Sequence, residues 1–427
     1  MTSKKAKLFW EYAYGANEPP VPKCGILRNE QNLTMGVIRM KAIIDGLIVL
    51  PNEILGGHIV LYEGDKIVEI RPRKGYRFGL CTDIVDANGG FVCPGFINEH
   101  IHGIAGADAM DESDDALTTM QKALPKTGVT SFLPTTMTYD KARIEGALQR
   151  IRNHVDNGAG ARVIGAHMEG PFINADYKGS QEAAYIATGD MPWLAPYQDI
   201  IKIMTIAPET VSHSTVVKDM HNAGIILSIG HSAATYEEVE DAVRKFDMYH
   251  VTHLFNAMPQ LHHRKPGIIG AALTDDKAHC ELICDNLHVH PTVQKLVYRL
   301  KGPSGIILVT DSLRACLMGD GPSELGGQNV MVKHGEARLA DGTIAASVAA
   351  MNDVVLNFIL ASGASIPEAV SMATVNPAKD LGIFDRIGSL EAGKLADITI
   401  LDSNDFHVKQ TLIGGKLVYD ENNKDER

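Results

Sequence analysis

His100-Ile101-His102 follows, after Asn98-Glu99, on the apolar run Phe91-Val92-Cys93-Pro94-Gly95-Phe96-Ile97. Side chains alternate along a strand, so residues two apart face the same way. Two imidazoles leaving one strand end together suit chelation of a single metal ion. The pair alone says little, because the chain holds 17 histidines. Its weight comes from donors at the ends of other apolar runs. These are His167-Met168-Glu169-Gly170-Pro171, Gly230-His231-Ser232, His253 with Asn256, Asp285 with His288, and Thr310-Asp311-Ser312. A strand-end His or Asp ordinarily caps a turn or bonds a loop. One compatible donor set at the same end of six runs calls for a shared purpose. The imidazoles of His100, His102, His231 and His253 and the carboxylates of Glu169 and Asp311 can hold one or two divalent ions, with Glu169 as a bridge.

Such a centre implies a reaction class. A bound ion lowers the pKa of water from about 15.7 to about 7 and polarises a carbonyl. Asp311 fits the general base that takes the water proton and later returns it to the leaving group. The chemistry is hydrolysis at a carbonyl or related carbon. Zinc, iron and manganese all suit imidazole and carboxylate donors.

The elements that must position these residues recur along the chain. Apolar, strand-like runs span 91–98, 130–136, 162–170, 201–209, 224–232, 247–257, 279–288 and 305–312. Most are separated by amphipathic stretches of helical length, such as SDDALTTMQKALPKTG and TYEEVEDAVRKF. Apolar strands alternating with helices predict a parallel sheet buried on both faces. Eight units predict a closed, TIM-like (β/α)8 barrel over 91–385, with the donors at the C-terminal strand ends where barrel enzymes carry their chemistry. A doubly wound open sheet fits less well, since no GxGxxG follows the first strand. The flanks 38–90 and 386–427 read as short strands and turns, a small β-sandwich drawn from both chain ends. Residues 1–37 read as an N-terminal extension.

Bulk properties narrow the function. The 427 residues are 45% hydrophobic and 22% charged, ordinary for a soluble globular protein. A net charge of -12 argues against nucleic acid and anionic membranes as partners. No run has the length of a membrane span, and the N-terminus lacks the apolar core of a signal peptide. The six cysteines form no CxxC pair, and Cys280 and Cys284 read as packing in an apolar run. A reducing cytoplasm is expected.

The segments PGFINEHIHG, HMEGPF, GHS, THLFNAM, RKPG, HCELICDNLH, VTD and GSLEAGKLAD resemble the amidohydrolase superfamily. Within it they are similar to the N-acetylglucosamine-6-phosphate deacetylase family, over roughly residues 40–420. The resemblance implies a (β/α)8 barrel with a small β-sandwich, a homodimer, and a small-molecule amino sugar phosphate as substrate. The implied reaction converts N-acetylglucosamine 6-phosphate to glucosamine 6-phosphate and acetate. Motif by motif, it implies that Glu169, His231 and His253 hold the metal that active members share. His100 and His102 match a second metal site, pointing to a two-metal subgroup. Asp311 matches the catalytic aspartate and His288 a sugar contact. Asn256 and Ala257 match a turn near the phosphate. Arg264 matches an arginine that pairs with phosphate across the dimer interface, and its fork suits two bonds to phosphate oxygens.

The chain also departs from that pattern. Gln181 stands where the family often has a His that polarises the acetyl carbonyl; an amide can donate a hydrogen bond but carries no charge. Asn286 replaces a Gly, and Ser347-Val348-Ala349-Ala350-Met351 replaces a more Gly/Ser-rich stretch. These changes keep N-acetylgalactosamine 6-phosphate, or another N-acyl amino sugar phosphate, as an alternative substrate. A cyclic-amide hydrolase of the same superfamily would bridge its metals with a lysine after the fourth strand, where Ala207-Pro208-Glu209 stands instead. A deaminase leaves Arg264 and HMEGPF unexplained, and a non-catalytic descendant would have lost donors. His167 reads as a buried partner supporting Glu169, and His250 as facing away from His253. His58, His154, His213, His221, His279, His334 and His407 read as surface or packing residues.

Overall fold

The structure, a computed structural model, describes residues 40–78, 81–158, 160–211 and 215–423. The expected N-terminal extension and His213 lie outside the described residues. Eight parallel strands form the central sheet: β1 (Phe96–Ile101), β2 (Val129–Thr136), β3 (Ala166–Glu169), β4 (Ile201–Ile206), β5 (Ile226–Ile229), β6 (His250–Val251), β7 (His279–Ile283) and β8 (Ile306–Val309). All residues of β1, β2 and β3 are buried, as a sheet covered on both faces requires. The seam between β8 and β1 closes through backbone bonds from Asp311 N–H to His100 O and from His102 N–H to Ser312 O, each 2.9 Å. The Asn98 amide adds a bond to Thr310 Oγ1 at 2.7 Å. The barrel is the one expected from the runs.

The first run, read as a single strand, is divided. Phe91–Pro94 pairs with Leu47–Val49 and Ile398–Leu401 outside the barrel, and β1 begins only after Gly95. A side chain there is excluded, since a Cβ on Gly95 would lie 2.2 Å from the Thr130 side chain. Phe91–Pro94 thus belongs to a six-stranded sheet containing 47–49, 54–55, 398–401, 408–413 and 416–420. A four-stranded sheet of Met40–Ile44, His58–Glu63, Lys66–Pro72 and Cys81–Asp86 packs on it. Ile43, Val60 and Tyr62 from one sheet share a core with Val92, Ile398 and Leu412 from the other. Apolar inner faces of two sheets interdigitating in this way make a sandwich.

The helices follow their sequence signals. In Tyr236–Phe246, Thr235 and Glu238 form a reciprocal capping box, and Val239 and Ala242 face the core. Such a cap contributes about 1 kcal/mol. Between β3 and β4 the connection contains only short 3-10 turns, at 175–177, 183–185 and 192–197. After β8, residues 321–346 form a four-stranded antiparallel sheet that the strand count did not anticipate. Among the described residues, no helix is long and apolar enough to cross a membrane.

Candidate metal centre

The strand ends bring six predicted donors together in a buried cluster. On one side, the Nε2 atoms of His231 and His253 each lie 3.1 Å from Glu169 Oε1 and 3.1 Å from one another. On the other side, His102 Nε2 lies 3.4 Å from Glu169 Oε2 and 3.2 Å from Asp311 Oδ1. His100 Nε2 lies 3.5 Å from Glu169 Oε1 and 3.4 Å from Asp311 Oδ1. Glu169 therefore faces both groups with its two oxygens.

Hydrogen bonds fix which nitrogen faces inward in three of the four rings. His231 Nδ1 meets the Tyr177 carbonyl at 2.9 Å, and His102 Nδ1 meets the Thr135 carbonyl at 3.2 Å. His100 Nδ1 meets Glu281 Oε2 at 2.7 Å. These oxygens can only accept, so each Nδ1 carries the hydrogen. Each Nε2 then faces carboxylate oxygens, as a hydrogen-bond donor while the ring is protonated and as a ligand where a cation takes the place of that proton. His100 Nε2 makes no hydrogen bond although it is buried. Three donors about 3 Å apart can all reach an ion at roughly 2 Å, as zinc requires. The donor set fits a divalent cation.

The electrostatics point the same way. Burial opposes a charged His100, yet Glu281, Asp311 and Glu169 outweigh it and raise the ring from 6.5 to about 9. Burial alone would raise Glu169. The charge of His231 and hydrogen bonds from His102, His231 and His253 hold it well below the usual carboxylate range. The cluster concentrates negative charge and attracts positive charge.

The backbone is unusual at these residues. His231, His253 and Asp311 have φ of 50°, 31° and 47°. Non-glycine residues at positive φ are uncommon and gather at functional sites. Here the turns direct His231 and His253 off their strands toward Glu169, and Asp311 toward His100 and His102.

The remaining predicted residues are placed differently. Gln181 is buried, but its amide donates to Glu169 Oε2 at 2.5 Å and its carbonyl accepts from Thr138 N–H at 2.7 Å. The amide expected to be open to substrate is committed to Glu169. His288 Nδ1 bonds Asp285 Oδ2 at 2.6 Å. Burial opposes its charged form, while Asp285 raises its pKa. The Asn256 side chain bonds the carbonyl of His253 at 3.0 Å, bracing the turn that ends at Ala257, φ 49°. Asn286 has φ 68°, which explains how Asn serves where Gly was expected, since Asn tolerates that region. Ser347 joins the centre's edge, with its N–H donating to Asp311 O at 2.9 Å. Arg264 sits on the exposed loop 261–265.

Sequence reasoning missed Glu281. Its Oε2 accepts from His100 Nδ1 at 2.7 Å and from the His253 backbone N–H at 3.1 Å. One buried carboxylate thus orients a donor on each side of Glu169. The available signal was the charge of Glu281 flanked by apolar residues in the run HCELIC. His167, expected to support Glu169, instead bonds the Glu99 carbonyl at 2.9 Å and Thr205 Oγ1 at 2.7 Å. Burial and the charge of His100 push its ring down to about 3, so it stays neutral.

A (β/α)8 barrel with carboxylates and imidazoles converging at its C-terminal mouth defines a class of metal-dependent hydrolases. The match to the amidohydrolase family spans residues 91–418, and the chain belongs to that family. It is 38% identical to the N-acetylglucosamine-6-phosphate deacetylase of Bacillus subtilis (strain 168), over 88% of this chain and 96% of that protein. It is 35% identical to the N-acetylgalactosamine-6-phosphate deacetylase of Escherichia coli O157:H7, over 79% of this chain and 90% of that protein. The crystal structure of N-acetylglucosamine-6-phosphate deacetylase from Pasteurella multocida superposes with a TM-score of 0.83 at 30% identity, covering 88% of this chain and 99% of that one.

Proposed function

We propose that this chain is a metal-dependent deacetylase that hydrolyses N-acetylglucosamine 6-phosphate to glucosamine 6-phosphate and acetate. The observation that carries the reading is the buried convergence of His231, His253, His100 and His102 on the two oxygens of Glu169, beside Asp311. Glu169, His231 and His253 would hold one divalent ion, and His100 and His102 with Glu169 a second. Zinc, iron and manganese remain the candidates. Such an ion supplies an acidified water near neutral pH and polarises the acetyl carbonyl.

The chain's own groups do the rest. Asp311 takes a proton from the water that adds to the carbonyl carbon. It returns that proton to the amide nitrogen as the C–N bond breaks, releasing the amine and acetate. Glu281 keeps His100 and the His253 backbone in place. His288, held by Asp285, contacts the sugar, and Gln181 steadies Glu169. Asn256 and Ala257 shape the turn near the phosphate.

Arg264 binds the phosphate from a second copy of the chain in a homodimer. Its exposure within a single chain supports this arrangement. Cys93, Cys280, Cys284 and Cys316 are buried free thiols, which suits a cytoplasmic enzyme. The 35% identity to the Escherichia coli O157:H7 relative favours the galactosamine epimer as the second reading.

Acetate release from both N-acetylhexosamine 6-phosphates and from unphosphorylated N-acetylglucosamine tests the assignment, with metal counted on the same sample. The expected order places N-acetylglucosamine 6-phosphate first. No acetate from any phosphorylated sugar by metal-loaded protein would overturn it.

A further inference from the structure

Inside the barrel a second set of donors converges. Glu99 lies on β1, His250 opens β6, and Asp380 ends the helix Val375–Asp380. His250 Nε2 lies 3.0 Å from Glu99 Oε1 and 3.4 Å from Asp380 Oδ2. Glu99 is fully buried, and both its Oε2 and the Asp380 Oδ2 are buried without a hydrogen-bond partner. None of the three residues takes part in the chemistry proposed above.

The direction of a hydrogen-bond chain fixes how His250 presents itself. His167 Nδ1 faces the Glu99 carbonyl at 2.9 Å and must donate. A buried ring with no carboxylate in hydrogen-bond reach stays neutral, so His167 Nε2 accepts from the Thr205 hydroxyl at 2.7 Å. Thr205 then accepts from Thr252 at 2.7 Å, and Thr252 accepts from Ser228. Ser228 Oγ, its hydrogen spent, accepts from His250 Nδ1 at 2.7 Å. His250 Nδ1 is thereby fixed as a donor, and Nε2 is the ring atom that faces the two carboxylates, holding a proton there that a bound cation would displace.

We propose that Glu99, His250 and Asp380 form a further divalent-cation site, distinct from the catalytic centre and suited to zinc or a similar transition ion. One imidazole and two carboxylates are donors such ions accept. A doubly charged ion would neutralise the two carboxylates and satisfy the buried Glu99 Oε2 and Asp380 Oδ2. The supporting groups are already arranged: Asp380 Oδ1 accepts from His279 Nδ1 at 2.6 Å, as the partners of metal-binding carboxylates do. His279 is 38% exposed and Asp380 14% exposed on their side chains, so an ion can enter from that side.

Zinc returned to chelator-stripped, full-length protein and counted per chain tests the site. The wild type should hold one equivalent more than Asp380→Asn or His250→Phe, and Asp380→Asn should keep its deacetylation rate. Crystals soaked in zinc should give an anomalous peak between Glu99, His250 and Asp380. Where a variant fails to fold, the wild-type peak decides alone. Equal zinc in the wild type and the folded variants, or no peak at that position, overturns the proposal, and only protons or a water then occupy it. The catalytic reading is untouched by that outcome, since it rests on acetate release.

Discussion

The barrel holds two buried clusters of imidazole and carboxylate, set on different backbones. At the mouth, His231, His253 and Asp311 lie just beyond their strands at positive φ. In the inner cluster, Glu99 and His250 sit within strands and Asp380 within a helix, all with regular backbone. A left-handed conformation costs about 1–2 kcal/mol per non-glycine residue, so the mouth carries several kcal/mol of strain that the inner cluster avoids. Burial and charge are common to both. Strain distinguishes the place where side chains must leave their strands in set directions around a reacting molecule.

Asp311→Asn is the most direct way to break this contrast. The amide keeps the shape and the strained backbone but cannot accept the water proton. Turnover should fall by about 10²–10⁴, with the metal count unchanged. A variant with near-normal turnover would remove Asp311 from the chemistry, and strain would no longer mark function here.

Arg264→Ala follows in size. A charge-assisted bond to phosphate contributes about 1.5–3 kcal/mol, so kcat/KM on the phosphorylated sugar should drop roughly 10- to 150-fold. Activity on unphosphorylated N-acetylglucosamine should hold. Mixing Arg264→Ala with Asp311→Asn protein should restore activity, because a mixed dimer rebuilds one complete site. Equal losses on both substrates, or no restoration, would confine Arg264 to a solvated loop.

Glu281 lies between the two clusters and sharpens the comparison. Its carboxylate bonds His100 and the His253 backbone, and its other oxygen lies 3.9 Å from His167. Removal of such a supporting group typically weakens metal binding 10- to 100-fold. Glu281→Gln should therefore lose metal to a chelator at lower concentration, and excess metal should restore most of the turnover. Turnover that stays low at saturating metal would instead give Glu281 a direct part in the reaction.

The two clusters were unequally legible in the sequence. His100, His102, Glu169, His231, His253 and Asp311 stand at the ends of apolar runs, where alternation and barrel geometry say which way they point. Glu99 and His250 lie inside such runs, where a polar residue can face the barrel interior or a helix. Asp380 joins them from about 100 residues beyond His279, its hydrogen-bond partner. Pairing across the barrel brings them together, and no local period encodes it. The division at Gly95 escaped for a similar reason, since one apolar run serves two sheets and only the contact with Thr130 forces the break. The sheet at 321–346 is largely half-exposed, so its strands lack the apolar runs that made the barrel readable.

Asn286 offers the smallest and cleanest probe of strain at the mouth. Its φ of 68° suits Gly, then Asn, and disfavours Ala. Its Oδ1 also accepts from Gln294 Nε2 at 3.0 Å, a bond either substitution removes. Gln294 Nε2 keeps its bond to the Val289 carbonyl at 2.8 Å, and the acceptor lost by its second hydrogen is lost equally in both variants. Asn286→Gly trades the bond for relief of strain and should change stability by less than about 1 kcal/mol. Asn286→Ala loses the bond and keeps the strain, so it should cost about 1–2 kcal/mol more than Gly. Urea midpoints of the two variants, at equal m-values, separate these terms. Equal midpoints would mean that the loop after β7 relaxes to negative φ, and that strain there is not imposed by the site.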